Sequence, residues 1–356
     1  MSRTTARGRP ALAVLAALAT GATAVAGCSG GSSASCPPSE IPDHDENTLV
    51  IEGDAWSGYA PFRDGGLLDG TGYTALYVEQ VCQDVRAADL TAGRADIAVT
   101  TLDQYLLQHP DGTLVGVIDQ SLGADALALG TANHPELDSI DDLPALVAQF
   151  AEDGDKPVLA YTGNSPSEML LNELANTTDE LRLADFELVS VDQSATAFEM
   201  LEADQAQLAV IWEPDTSAAR AAGHTVALSS ADVPDAIVDV IVASDRLIER
   251  DPAAVQAVVA AYYSTMDDLV ASPAALEQFY ATDGGLDAET ARTLIAGIKL
   301  YGSNDANVFM NDDVFPLDRP QIQQSIDAIG SVLALVHPDI PLDQAKVDGR
   351  YVSFVS

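Results

Sequence analysis

From residue 48 onward the chain alternates short, uninterrupted apolar runs with longer stretches in which apolar residues return every three or four positions. Short β-favouring runs bounded by turn residues predict strands, and the longer periodic stretches predict helices. Strands are expected at 49–51, 97–100, 114–118, 126–129, 158–161, 187–191, 208–212, 225–228 and 238–243. Capping chemistry marks several helix starts. Asp251-Pro252 supplies an N-cap and a proline at the first helical position, opening a helix through 270, and Ser272-Pro273 repeats the device. Asp287 is expected to cap 288–301, with Gly302 past its end. Pro320 opens a last helix through 336, on which Ile322, Ile326, Ile329, Leu333 and Val336 recur at helical spacing. The alternation predicts an α/β fold with mainly parallel sheets.

The first strand breaks into a loop that carries an acid and two aromatics. Gly53 and Gly58 let the backbone turn sharply, presenting Asp54, Trp56 and Tyr59 outside the strand's carboxyl end, where open α/β sheets hold their ligands. An internal echo gives this loop a partner. Residues 90–99 (LTAGRADIAV) and 201–210 (LEADQAQLAV) share Leu, Ala, Ala, Ala and Val at identical spacing. Each reads as a helix end, a turn and a buried strand. The same offset of 111 residues puts 49–52 over 160–163, Asp54 over Ser165, and the Trp212-Glu213 loop over Thr101-Leu102. Two similar lobes facing each other across such loops would form a cleft.

Composition changes the picture at the N-terminus. The 356 residues are 47% hydrophobic and 20% charged, enough for one large or two medium domains with real cores. Residues 1–27 stand apart: Arg3, Arg7 and Arg9 precede an apolar run at 11–26 that is short for a bilayer span, as in an export signal. The signal ends in Val25-Ala26-Gly27-Cys28, which resembles a bacterial lipobox; the resemblance implies cleavage before Cys28 and lipidation of its thiol. Residues 28–47, with Gly and Ser at 29–35, then read as a flexible tether. Removing 1–27 leaves 13 basic against 55 acidic side chains, formally −42, a surface that repels nucleic acid and anionic lipid. Cys36 and Cys82 form a candidate disulfide in an oxidising exterior.

Four motifs carry a family resemblance: Trp56-Ser-Gly-Tyr-Ala-Pro61, residues 93–103 (GRADIAVTTLD), residues 121–127 (SLGADAL) and Ala209-Val-Ile-Trp-Glu-Pro214. In this order, behind a lipobox and over roughly 48–270, they resemble the solute-binding proteins of ABC importers. The nearest branch includes nitrate-, sulfonate-, taurine- and thiamine-precursor-binding members. The resemblance implies a type II periplasmic-binding-protein fold, two lobes joined by two crossing strands. Crossings at 125–130 and 239–244 would put lobe I at 48–128 and 240–356, and lobe II at 129–239. It also implies a small-molecule solute, an ABC permease and ATPase as partners, and a monomer held by its lipid on the outer face of the cytoplasmic membrane. No enzyme activity, cofactor or metal is implied. Alternatives on the same fold are a signalling receptor and, further off, an enzyme related to pyrimidine-forming biosynthesis.

The candidate ligand-binding residues are Asp54, Trp56, Tyr59, Thr100, Thr101, Asp125, Asn164, Ser165, Ser167, Trp212 and Glu213. Aromatics stack on flat or cationic groups, and acids accept hydrogen bonds or pair positive charge. Thr100 and Thr101 end a strand, so one hydroxyl faces the cleft and the other faces structure. Asn164-Ser-Pro-Ser167 precedes a helix, whose free N–H groups suit an oxygen-rich or anionic group or are simply capped. Trp56 and Trp212, the chain's two tryptophans, would clamp a ligand from opposite walls. An anionic ligand would lean on helix starts, hydroxyls and Arg63; a neutral or cationic one suits Trp56, Trp212, Asp54 and Glu213 better. Catalytic signatures are poor. Residues 27–31 match G-x-S-x-G only across the cleavage site, and 70–75 match G-x-G-x-x-A without a preceding strand. The five histidines are scattered, without metal-ligand spacing.

Overall fold

The computed structural model describes residues 37–177, 181–233, 235–314, 317–337 and 345–355. The expected export segment 1–27, Cys28, Cys36 and the first part of the tether lie outside these residues. All nine expected strands form, within a few residues of their expected ends: β1 (Thr48–Gly53), β3 (Ile97–Thr101), β4 (Gly112–Ser121), β5 (Asp125–Leu129), β6 (Val158–Thr162), β7 (Glu187–Val191), β8 (Leu208–Trp212), β9 (Thr225–Ser229) and β10 (Val238–Ser244). Two more complete the sheets, β2 (Thr74–Glu79) and β11 (Ile298–Leu300). β2 sits at a sheet edge with only Val78 buried; its run Ala75-Leu-Tyr-Val78 is apolar but is not among the expected strands. The expected helix 288–301 stops at Ala296, and its last residues become β11 on β4. A Cβ at Gly297 would meet the backbone of Ala124 at 3.1–3.2 Å, so a side chain there would require Ala124 to give by a few tenths of an ångström.

Among the described residues the chain builds two large sheets, ordered β11-β4-β10-β3-β1-β2 and β7-β6-β8-β5-β9, beside a two-stranded antiparallel pairing of Asp313–Val314 with Arg319–Pro320. The two large sheets are mixed rather than mainly parallel. β1 pairs parallel with β2 and β3, and β6 with β7 and β8; the remaining pairs in each sheet are antiparallel. Each sheet therefore has one strand flanked by two parallel neighbours, followed by an antiparallel strand delivered from the other sheet. The echo at 90–99 and 201–210 lands on this repeat, since its strands become β3 and β8.

The chain passes between the sheets through 122–124 and 230–237. The expected crossings at 125–130 and 239–244 fall on strands that each lie within one sheet, β5 in the second and β10 in the first. Each sheet has its own core. Ile51, Ile97, Val99, Val240 and Val242 are fully buried in the first, and Leu159, Leu208 and Val210 in the second. Burial of each such side chain stabilises the fold by about 1.5–3 kcal/mol. Helix Pro252–Val270 packs Val255, Val258, Val259 and Tyr262 into the first core, beneath a cap in which Asp251 accepts from the Ala254 N–H. Helix Gln321–Val336 adds Ile322, Ile326, Ile329 and Leu333. No described helix is long and apolar enough to cross a membrane.

Candidate functional site

The carboxyl ends of the parallel strands in both sheets converge on one cavity of about 530 Å³. The loop after β1 supplies Asp54 to Arg63, the end of β2 Glu79 to Gln83, and the end of β3 Thr101. The second sheet answers with Thr162 to Pro166 after β6, Asp192 to Ala195 after β7, and Trp212 to Asp215 after β8. Asp125 and Asp239 enter at the starts of β5 and β10, whose antiparallel direction brings their first residues to the same edge.

Eight of the eleven sequence-derived candidates line the cavity: Asp54, Trp56, Tyr59, Thr101, Asp125, Ser165, Trp212 and Glu213. Thr100 points away and donates to Gln83, because alternation along β3 sends consecutive side chains to opposite faces. Asn164 is exposed, in a left-handed turn with φ 49°. Ser167 is buried within its helix start and does not line the cavity. The expected superposition of Asp54 on Ser165 also shifts. Ile51 pairs with Ile97, whereas Leu159 pairs with Leu208, so the β1 loop is offset by 108 residues and Ser57 matches Ser165. Both serines are buried and both line the cavity.

The β1 loop is held from behind. Arg86, 1% exposed, donates to Asp54 Oδ2 at 2.9 Å and to the Val99 carbonyl at 2.6 Å. Burial opposes its charge, but Asp54, Tyr59 and Tyr77 together outweigh that and raise its pKa. Arg63 donates to the carbonyls of Asp54 and Trp56 at 3.1 and 2.9 Å and pairs with Asp283. Its guanidinium thus fixes the loop instead of serving as a free point charge. Trp56 Nε1 donates to Asp119 Oδ2 at 3.2 Å, and Tyr59 donates to Asp239. Burial raises the pKa of both Asp119 and Asp239; Asp119 raises that of Asp239 further, whereas hydrogen bonds from Asp239 and Trp56 partly offset the rise at Asp119. Sequence reasoning passed over Arg86, Asp119 and Asp239. The available signal was a single acid at the end of one apolar run and inside another.

On the opposite wall, Ser165 Oγ accepts from the Ser167 N–H at 3.2 Å, so this helix start is capped by its own serine. Glu213 accepts from the Ser217 N–H at 3.1 Å and faces Arg220 at 3.4 Å. Thr162, 6% exposed, lines the cavity with a hydroxyl that has no hydrogen-bond partner among the described residues. At the crossings, Ser121 Oγ donates to Asp125 Oδ2 at 2.6 Å and meets Ser230 Oγ at 2.7 Å; Ser230 Oγ also accepts from the Gly123 N–H at 2.7 Å. The two passages are therefore tied together beside the cavity. Burial, reinforced by Asp119, Asp103 and Glu213, pushes Asp125 up to about 7 against the Ser121 bond. No group of metal-ligating side chains occurs among the described residues. Cys82 is disulfide-bonded, and the other two cysteines, Cys28 and Cys36, lie outside the described residues.

A family model described as "NMT1/THI5 like" matches residues 77–276, more than half of the chain. The chain belongs to this family. No curated protein matches it in sequence. Among solved structures it is similar to the alkanesulfonate-binding protein SsuA from Xanthomonas axonopodis pv. citri, bound to MOPS, at 16% identity and a TM-score of 0.63 over 84% of this chain and 96% of that one. It is similar to the ligand-binding component of an ABC-type import system from Staphylococcus aureus, with zinc bound, at 15% identity and a TM-score of 0.66 over 87% and 99%. The desulfurization enzyme DSZB is also similar, at 12% identity and a TM-score of 0.53 over 87% and 99%. These likenesses establish the two-lobed periplasmic-binding-protein fold.

Proposed function

We propose that the protein is an extracytoplasmic solute receptor that captures a small organic molecule in the cavity between its sheets and hands it to an ABC importer. The observation that carries this reading is a 530 Å³ cavity walled by loops of both sheets, which only two short passages join. A ligand touching both walls favours the state in which they approach, so binding works by population shift and no bond is made or broken. The lobes are 48–124 with 238–355, and 125–229, the passages acting as hinges. Asp54, Trp56, Tyr59, Thr101, Asp125, Ser165, Trp212 and Glu213 contact the ligand, joined by Ser57, Thr162 and Asp239. The import-system and sulfonate-binding neighbours support this reading.

Export by residues 1–27, lipidation at Cys28, a Cys36–Cys82 bridge, a monomeric state and delivery to a permease and ATPase belong to the same reading. The disulfide-bonded Cys82 supports the bridge. Small-angle scattering with the co-purified or screened solute tests solute capture: the radius of gyration falls at saturation, and an unchanged profile with bound ligand refutes hinge closure. A catalytic reading rests on the likeness to DSZB. Chemical conversion of the bound solute on incubation would favour it.

A further inference from the structure

We infer that the cavity takes an organic cation, an amine or quaternary ammonium carrying an apolar or aromatic body, rather than a sulfonate or nitrate. The inference rests on the solute-receptor reading and adds the charge of the ligand. Eight of the twenty-seven lining side chains are carboxylic, against 55 acids among 356 residues. That is about twice the share expected from this acidic chain alone. One guanidinium, Arg63, lines the cavity, and its Nε, Nη1 and Nη2 are all engaged by Asp283 and two backbone carbonyls. Three of the carboxylates face an arginine: Asp54 with Arg86, Asp283 with Arg63, and Glu213 with Arg220. Glu79, Asp125, Asp192, Asp215 and Asp239 face none among the described residues.

Buried Asp125 and Asp239 favour their neutral forms, but an anion entering this space would still meet the carboxylates of Glu79, Asp192 and Asp215 with no unengaged arginine or lysine among the described lining residues to receive it, and the helix start nearest Thr162 is already capped by Ser165. A cation gains from the same field. The two tryptophans of the chain both line the cavity, and aromatic faces attract desolvated cations. The buried Thr162 hydroxyl, without a partner among the described residues, is a hydrogen-bond group at this wall for a polar substituent on the ligand.

Because Trp56 and Trp212 are the only tryptophans, intrinsic fluorescence reads the cavity directly. The purified protein is titrated with choline, putrescine, benzylamine and a cationic aminopyrimidine, and separately with ethanesulfonate and nitrate. At least one cation should change the emission saturably at millimolar concentration or below and compact the protein in scattering; the two anions should do neither. Cation affinity should fall with added salt. It should also fall about tenfold in Asp192→Asn/Asp215→Asn, which alters one exposed and one partly exposed wall residue. Thermal unfolding of the unliganded variant checks that it is folded. Saturable binding of ethanesulfonate or nitrate with compaction overturns the charge inference and leaves solute capture standing. Silence with every cation also overturns the charge inference. Solute capture falls as well if, in addition, no probe compacts the protein and native mass spectrometry finds no carried molecule.

Discussion

Asp125→Asn removes one ionisable group from the junction where both passages between the sheets are tied. The carboxyl is 5% exposed, accepts from Ser121 at 2.6 Å and is pushed up to about 7, chiefly by burial. An unfolded Asp titrates near 3.9. The folded state therefore holds a proton that the unfolded chain has released, and stability is lost as pH rises from about 4 to about 7. Between pH 5 and pH 8 the folded group crosses about two units of this window. At about 1.4 kcal/mol per unit, this single side chain costs the wild type about 3 kcal/mol over that interval. Asn retains an oxygen to accept from Ser121 but carries no charge. Urea unfolding of both proteins at pH 5 and pH 8 isolates the effect, since Asp103, Asp119 and Asp239 titrate in both. The variant should gain stability relative to wild type by about 3 kcal/mol on going from pH 5 to pH 8. A difference between the two proteins that stays the same at both pH values would refute the burial argument.

Other perturbations probe the scaffold and the cavity. Arg86→Met strands Asp54 beside the cavity and frees the Val99 carbonyl, so it should cost about 3–5 kcal/mol in urea unfolding; a loss under 1 kcal/mol would mean that the pair is dispensable. Tyr263 OH donates to the Val117 carbonyl at 2.6 Å and accepts from its N–H at 2.9 Å, inside the first sheet. Tyr263→Phe should therefore lose about 1–3 kcal/mol, measured the same way. Trp56→Ala should leave far-UV circular dichroism unchanged and weaken solute affinity by tenfold or more in calorimetry. Unchanged affinity would reduce the β1 loop to a packing role.

Much of the fold was legible because buried strands announce themselves locally. Leu49, Val50 and Ile51, or Leu208 to Ile211, are continuous apolar runs that only a covered sheet can accommodate. The aromatic loop after β1 and the Trp212-Glu213 loop were legible for a related reason, since turn residues after such a strand put side chains at the sheet's edge. β2 and β11 escaped because an edge strand buries little, and because a helical pattern at 288–301 continues past the Gly297 contact that breaks it. Thr100 and Thr101 could not be separated by pattern, as one residue of register decides which hydroxyl faces the cavity.

The order of elements, the internal repeat, the acidic balance and most of the cavity's loops follow from the sequence by itself, because propensity, periodicity and composition are local properties. The tertiary structure alone decided that the β1 loop is offset by 108 residues rather than 111, that the chain changes sheets at 122–124 and 230–237, and that Arg63 is already engaged by Asp283 and the loop backbone. These depend on groups distant in the chain meeting in space. A carboxylate such as Asp239 differs from a surface aspartate only by the strands packed around it, and that surrounding burial holds its proton and shapes the cavity it faces.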